Sequence, residues 1–374
     1  MAKAKVAPAH GAEQVARLLA LPEVRALIAA LDAERWTGRV GFGNRMLLGA
    51  VITKATYALP TWSRTVRLIA EHDALRTVLG GAPSDDALDR FRKKLLAHRD
   101  LLDACLDAVV VSLKAAVPDY GVDVAVDGSD MPAYANGQRY VYKGGPERTK
   151  FSDPDATWGH RSSVGTRSGG GYYGFKLHAA VCARTELPVA WATRTAKASE
   201  LPEVPGLFDT MKRRGIVPAT AALDKNYDAA DTYAELIGRK IRPVIALIET
   251  ARVRRGEHKP PECAHGVWTF AGADDKRQAT QWRCPTRECR PMTVWIKYDR
   301  LHPPIPHGSD RFKALYRGRT SVERFFGRAK NERGLAPLRV RGLDRVSLHT
   351  DLTMLTVLAG ALSAARTAAT EVAA

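Results

Sequence analysis

The stretch from Tyr316 to Lys330, YRGRTSVERFFGRAK, collects residue types that handle phosphate. On a helix turning about 100° per residue, Tyr316, Arg319, Glu323 and Lys330 fall within about 60° of one another. One carboxylate is then flanked on its own face by two cations and a phenol. Arg and Lys suit phosphate oxygens, and a Glu among them suits a divalent metal that bridges to phosphate. Val322, Phe325, Phe326 and Ala329 occupy much of the remaining face and can pack on a core. The same charges also read as a solvated face stitched by i,i+4 ion pairs. A second set lies upstream, where Cys263-x-His265 and Cys284-x4-Cys289 offer four soft ligands for a structural Zn²⁺. Neither gap is that of a standard finger, and a reduced cysteine needs no metal, so both readings stay open.

The spacing Tyr316-x2-Arg319-x3-Glu323-x6-Lys330 resembles the Tyr-Arg-Glu-Lys signature of DDE transposases encoded by bacterial insertion sequences. The resemblance implies two aspartates upstream, each ending a strand of a ribonuclease H-like domain, and Asp127 and Asp224 meet those places. It implies that Asp127, Asp224 and Glu323 bind two Mg²⁺ or Mn²⁺ ions, a pair that activates the attacking oxygen and stabilises the leaving one in phosphodiester chemistry. It also implies that Tyr316, Arg319 and Lys330 grip DNA beside the scissile bond. An N-terminal helical domain would bind the element's terminal repeats, and the enzyme would act on double-stranded DNA as a homodimer. Lys176 and His178 share a strand face near the expected metal site, where either could touch phosphate; a core histidine is the alternative for His178. One departure stands out: relatives often carry an acid preceded by Asn or His after the hairpin, where this chain has Lys197-Ala198-Ser199-Glu200.

The elements that must position these residues read as an α/β chain. Residues 1–118 are helical by periodicity, with Thr61 or Ser63 and Ser84 as N-caps and a basic run at Arg90, Arg92, Lys93 and Lys94. GVDVAVDG alternates as a strand that stops at Gly128, leaving Asp130 off it. RYVYK at 139–143 is a second strand, and 144–171 reads as a long polar loop. Residues 174–183 and 187–195 form a hairpin, followed by a helix to Arg214 and a strand at 219–224. A helix capped by Asp228 and a strand at 241–248 complete a mixed sheet. The catalytic domain thus spans 119–248 and 307–374, interrupted by a β-rich, cysteine-containing insertion at 249–306. An apolar helix from about Val346 to Thr370 closes the chain.

Composition agrees with a soluble globular protein, at 45% hydrophobic and 26% charged residues. With 57 Lys plus Arg against 40 Asp plus Glu, the net charge of +17 argues for a polyanionic partner, nucleic acid before membrane. The basic N-terminus lacks the apolar core of a secretory signal, which places the protein in the cytoplasm. Five cysteines do not suggest a disulfide framework. Neither GxxxxGK[ST] nor GxSxG occurs, which argues against nucleotide binding and serine hydrolysis. A carboxylate-pair glycosidase fits the charge poorly. The non-enzymatic alternative is a DNA-binding relic of a transposase that has lost catalysis.

Overall fold

The computed structural model describes residues 8–34, 41–137, 152–161 and 168–373; the strand expected at 139–143 lies outside them. Among the described residues, seven helices precede the sheet: α1 (Pro8–Ala20), α2 (Pro22–Ala33), α3 (Asn44–Thr56), α4 (Trp62–Glu71), α5 (Asp73–Leu79), α6 (Asp85–Ala97) and α7 (Arg99–Ala116). Each long periodic stretch in the sequence is broken once. Pro22 begins α2, because a proline ring fits a first turn and not a helix interior. Capping explains the starts of α4 and α6: Thr61 accepts from the Arg64 amide at 3.3 Å and Ser84 from the Ala87 amide at 3.2 Å.

The sheet follows, built from β1 (Asp123–Pro132), β2 (Thr157–Arg161), β3 (Gly170–Cys182), β4 (Pro188–Thr195), β5 (Thr220–Leu223) and β6 (Arg242–Ile245). Its order is β2-β3-β1-β5-β6, with β4 also paired to β3. β1 runs antiparallel to β3 and parallel to β5, and β5 runs parallel to β6. Helix α8 (Glu203–Arg213) links β4 to β5, and α9 (Ala230–Gly238) links β5 to β6. Two expectations change here. β1 does not stop at Gly128: its antiparallel ladder with β3 continues to Pro132, so Asp130 is on the strand. The polar stretch before Gly171 contains β2, a five-residue strand too short and too polar to show a clean alternation.

After β6 the chain leaves the sheet as a small lobe. It holds α10 (Ala251–Arg254), the two-stranded pair β7 (Glu262–Cys263) and β8 (Gly266–Val267), and the three-stranded sheet β9 (Thr269–Asp274), β10 (Ala279–Arg283) and β11 (Thr293–Lys297). The chain returns through α11 (Asp310–Tyr316), a 3₁₀ turn (Arg317–Arg319) and α12 (Thr320–Glu332), and ends in α13 (Leu343–Ala373).

Two cores flank the sheet. Ala125, Met131, Phe175, Leu177 and Ala179 face α12 through Val322, Phe325, Phe326 and Ala329. On the other side, Val124 and Val126 join one continuous cluster that runs from α1 through α7 to α8 and α13. The helical segment and the sheet therefore share a core across residue 118. α13 is long and apolar enough to cross a membrane, but half of that apolar stretch is buried, and the helix packs against α7, β4 and α3.

Candidate active site

Strand register sets the first two acids side by side. Val126 pairs with Leu223 as the last step of the parallel ladder, so Asp127, which continues β1, and Asp224, which follows the end of β5, come side by side. Alternation turns Asp127 to the same face as Ala125, which is the face covered by α12. Asp127 accepts from the Gly128 amide at 2.7 Å, and Asp224 caps the 3₁₀ turn at Lys225–Tyr227 through the Asn226 amide at 2.8 Å.

The third acid arrives on α12. The stretch from Tyr316 is not one regular helix: Tyr316 ends α11, Arg319 sits in the 3₁₀ turn, and Glu323 and Lys330 lie on α12. All the backbones at the break are helical, so the i,i+4 relation of Arg319 to Glu323 survives. Arg319 is the hub. Its Nη2 donates to Glu323 Oε1 at 2.5 Å, while Nη1 lies 3.4 Å from Asp127 Oδ2. The guanidinium also stands 6.0 Å from the Tyr316 ring, which stacks on Phe312 at 5.7 Å.

The electrostatics show a site short of positive charge. Asp127 is pushed up to about 7, first by burial, then by the Asp224 and Glu200 charges, against the pull of Gly128 N–H and Arg319. Burial likewise raises the Tyr316 phenol. Glu200 is an acid to which the sequence reading assigned no role. Its Oε1 accepts from Lys176 Nζ at 3.1 Å, and any side chain on Gly128 would meet that same oxygen at 3.0 Å. No fixed spacing ties Glu200 to the other acids; its only signal is its place between the hairpin and α8.

Other expected site residues are placed differently. Lys330 donates to the Asp130 carbonyl at 2.5 Å and lies 3.5 Å from its carboxylate, which also pairs with Arg161 at 3.3 Å. His178 is fully buried with both ring nitrogens unpartnered among the described residues, so it does not reach the surface where a phosphate would bind; burial holds it down to about 3. Asp228 does not cap α9. It is buried and accepts from the Ile248 amide at 2.6 Å and from Arg300 at 2.7 Å, a clasp at the base of the lobe. Within the lobe, Cys263, Cys284 and Cys289 converge, whereas His265 stands apart and pairs with Glu288 at 3.3 Å. The four-ligand set is thus three thiols and an outlying imidazole.

The donor set of Asp127, Asp224 and Glu323 is of the kind a hard divalent cation takes, although the three carboxylates do not all come within 4.8 Å of one another. It is all oxygen and partly buried, with a guanidinium set between two of its members where positive charge is needed.

No curated protein matches the chain. Among solved structures it is similar to a piggyBac transposase in a synaptic complex with hairpin DNA. That match has 10% identity and a TM-score of 0.44, and covers 96% of this chain and 76% of that one. Residues 121–358, well over half of the chain, match the family model described as the transposase DDE domain. That span holds both aspartates, the lobe and Glu323, and by it the chain belongs to the DDE transposase family.

Proposed function

We propose that the protein is an active transposase, of bacterial insertion-sequence type, that cuts DNA at the ends of its own element and joins them to target DNA. The observation that carries this is the register placing Asp127 beside Asp224, with Arg319 linking Asp127 to Glu323. The strand order β4-β3-β1-β5-β6, in which β3 alone runs against the other four, supports a ribonuclease H-like reading of the domain.

Asp127, Asp224 and Glu323 would hold the Mg²⁺ or Mn²⁺ ions. Such ions would supply the acidification of the attacking water and the charge compensation of the leaving 3′-oxygen. The protein's own part is positional. β1 and β5 fix two carboxylates rigidly, and α12 brings Glu323 on a helix locked by Phe325 and Phe326. Arg319 neutralises the acids when the site is empty of cations, and turns to DNA phosphate when they are bound. Tyr316 holds the Arg319 plane. Lys330 and Lys176, paired with protein groups here, exchange those partners for phosphates. In the first step water attacks the phosphodiester at the element end. In the second, the freed 3′-hydroxyl attacks target phosphate, one ester bond replacing another without ATP.

The DNA reaches beyond the acids. Arg92 and Lys93 of α6 and Arg339, Arg341 and Arg345 before and within α13 line one cleft with Trp62 and Tyr134. Cations from both ends of the chain thus face one surface, which suits a duplex end held by a helical segment. A homodimer on DNA and a cytoplasmic location complete the reading.

The test uses a duplex carrying the genomic flanks of the gene, with Mg²⁺ or Mn²⁺. The wild-type protein should nick at the element ends. Asp127→Asn, Asp224→Asn and Glu323→Gln should each lower cleavage by at least about 10³-fold while leaving end binding within a few-fold. End binding without cleavage by wild-type protein in either metal would favour the relic reading. Cleavage at wild-type rate by folded Asp127→Asn would remove the acid from the mechanism.

A further inference from the structure

Cys263, Cys284 and Cys289 come from three separate segments: the end of β7, the residue that follows β10, and the loop that leads to β11. Their sulfurs all lie within 4.8 Å of one another, and Cys263 Sγ is 4.0 Å from Cys284 Sγ. A tetrahedral ion with bonds of about 2.3 Å to sulfur requires sulfurs about 3.8 Å apart. The triangle is therefore near the size a zinc ion needs before any ion is added. Cys284 is buried, while Cys263 and Cys289 are partly so, which makes a site closed beneath and open on one side.

The lobe needs such a fastening. Its apolar core is two tryptophans, Trp268 and Trp282, with Val294, Ile296 and the cysteines themselves around them. A unit this small has difficulty holding itself by apolar burial alone, and structural metals recur in such units. In the loop between Cys284 and Met292, the Cys284 amide donates to the Met292 carbonyl at 3.0 Å, and the Arg287 amide closes a turn on the Cys284 carbonyl at 3.2 Å.

We propose that the three thiolates bind one structural Zn²⁺ and that His265 completes the shell. His265 lies two residues beyond Cys263, and its Nδ1 is 3.3 Å from a carboxylate oxygen of Glu288, the residue before Cys289. An imidazole that donates one nitrogen to a carboxylate presents the other to a metal, and the carboxylate fixes its tautomer. The ring stands outside the thiol triangle in the metal-free geometry, so binding turns it inward, with Glu288 moving alongside. Thiol protons leave as the metal enters. This site is independent of the transposase reading, since it lies in the lobe and uses none of the acids.

The test is made on the full chain purified with reductant and without chelator. Elemental analysis should find about one zinc per chain. Exchange for Co²⁺ should give the intense visible absorption of a tetrahedral site together with thiolate charge-transfer bands. Added Zn²⁺ should slow alkylation of three of the five cysteines in metal-stripped wild-type protein, a readout that needs no variant to fold. His265→Ala should keep the metal with affinity reduced at least tenfold, measured against a competing chelator. Alkylation at equal rates with and without Zn²⁺, or a Cys263–Cys284 disulfide in the reduced preparation, would overturn the site. Unchanged affinity in His265→Ala would remove His265 from it.

Discussion

The Asp127 carboxyl sits where burial and the Asp224 charge both oppose its ionisation, and it is held up to about 7. Glu200 adds to that field from the neighbouring position, tied by Lys176 and pressed close to Gly128. An acid that shapes the charge of a metal ligand without occupying the shell typically changes metal affinity or rate by about 10–100-fold when removed. Glu200→Gln is therefore expected to lower cleavage by that order, with a right-shifted metal dependence and unaltered binding of end DNA. An unshifted metal titration would make the Lys176–Glu200 pair purely structural. Legibility at this scale follows spacing. Arg319 and Glu323 are four apart, and helical geometry converts that number into a contact. Asp127 and Asp224 are adjacent only through strand register, which a local pattern does not state. Glu200 depends on where a hairpin delivers the chain. His178 misleads for the same reason: its spacing from Lys176 gives the face, but not how deeply α8 and its surroundings bury that face.

Among the elements, α13 bears on the site without touching it. It is fixed to β4 and α7 by one buried carboxylate: Asp351 accepts from the Trp191 indole at 2.6 Å and pairs with Arg99. Asp351→Ala would leave an indole N–H and a guanidinium without that partner beneath the sheet. The expected loss is about 2–3 kcal/mol of folding stability, read as a lower chemical-denaturation midpoint. An unchanged midpoint would show that water satisfies both donors. Helix starts were readable because caps and prolines are local. The breaks within α11–α12 and the extension of β1 past Gly128 were not, because both depend on partners distant in sequence: β3 pairs with β1 to Pro132, and the sheet supports the 3₁₀ turn from below.

For the molecule as a whole, two imidazoles are held neutral inside the fold. Burial foremost pushes His178 and His349 down to about 3, with cations nearby adding to it, although His349 bonds to the Leu335 carbonyl at 3.2 Å. An unfolded histidine takes its proton near 6.5. Between about pH 6.5 and 3 the unfolded chain therefore binds more protons, and stability falls as pH falls. Asp127 has the opposite sign, since its folded value lies above its unfolded one, and it offsets part of this loss. His349→Gln keeps a donor for the Leu335 carbonyl and removes one titration. It should flatten the loss of stability between pH 6 and 5 by up to about 1.4 kcal/mol per pH unit, measured by denaturant unfolding at each pH. An unaltered slope would mean that His349 is protonated in the fold. The base of the lobe has a different kind of consequence. Asp228 grips the Ile248 amide where the chain departs and Arg300 where it returns, and Arg300 also reaches the Ile248 carbonyl at 3.4 Å. An excursion knotted at its neck transmits little of its own length to the frame it hangs from, and doubling a flexible loop costs only about 0.6 kcal/mol. The neck thus lets the lobe change in length at its far end with little strain passed back to the strands that lead to Asp127 and Asp224.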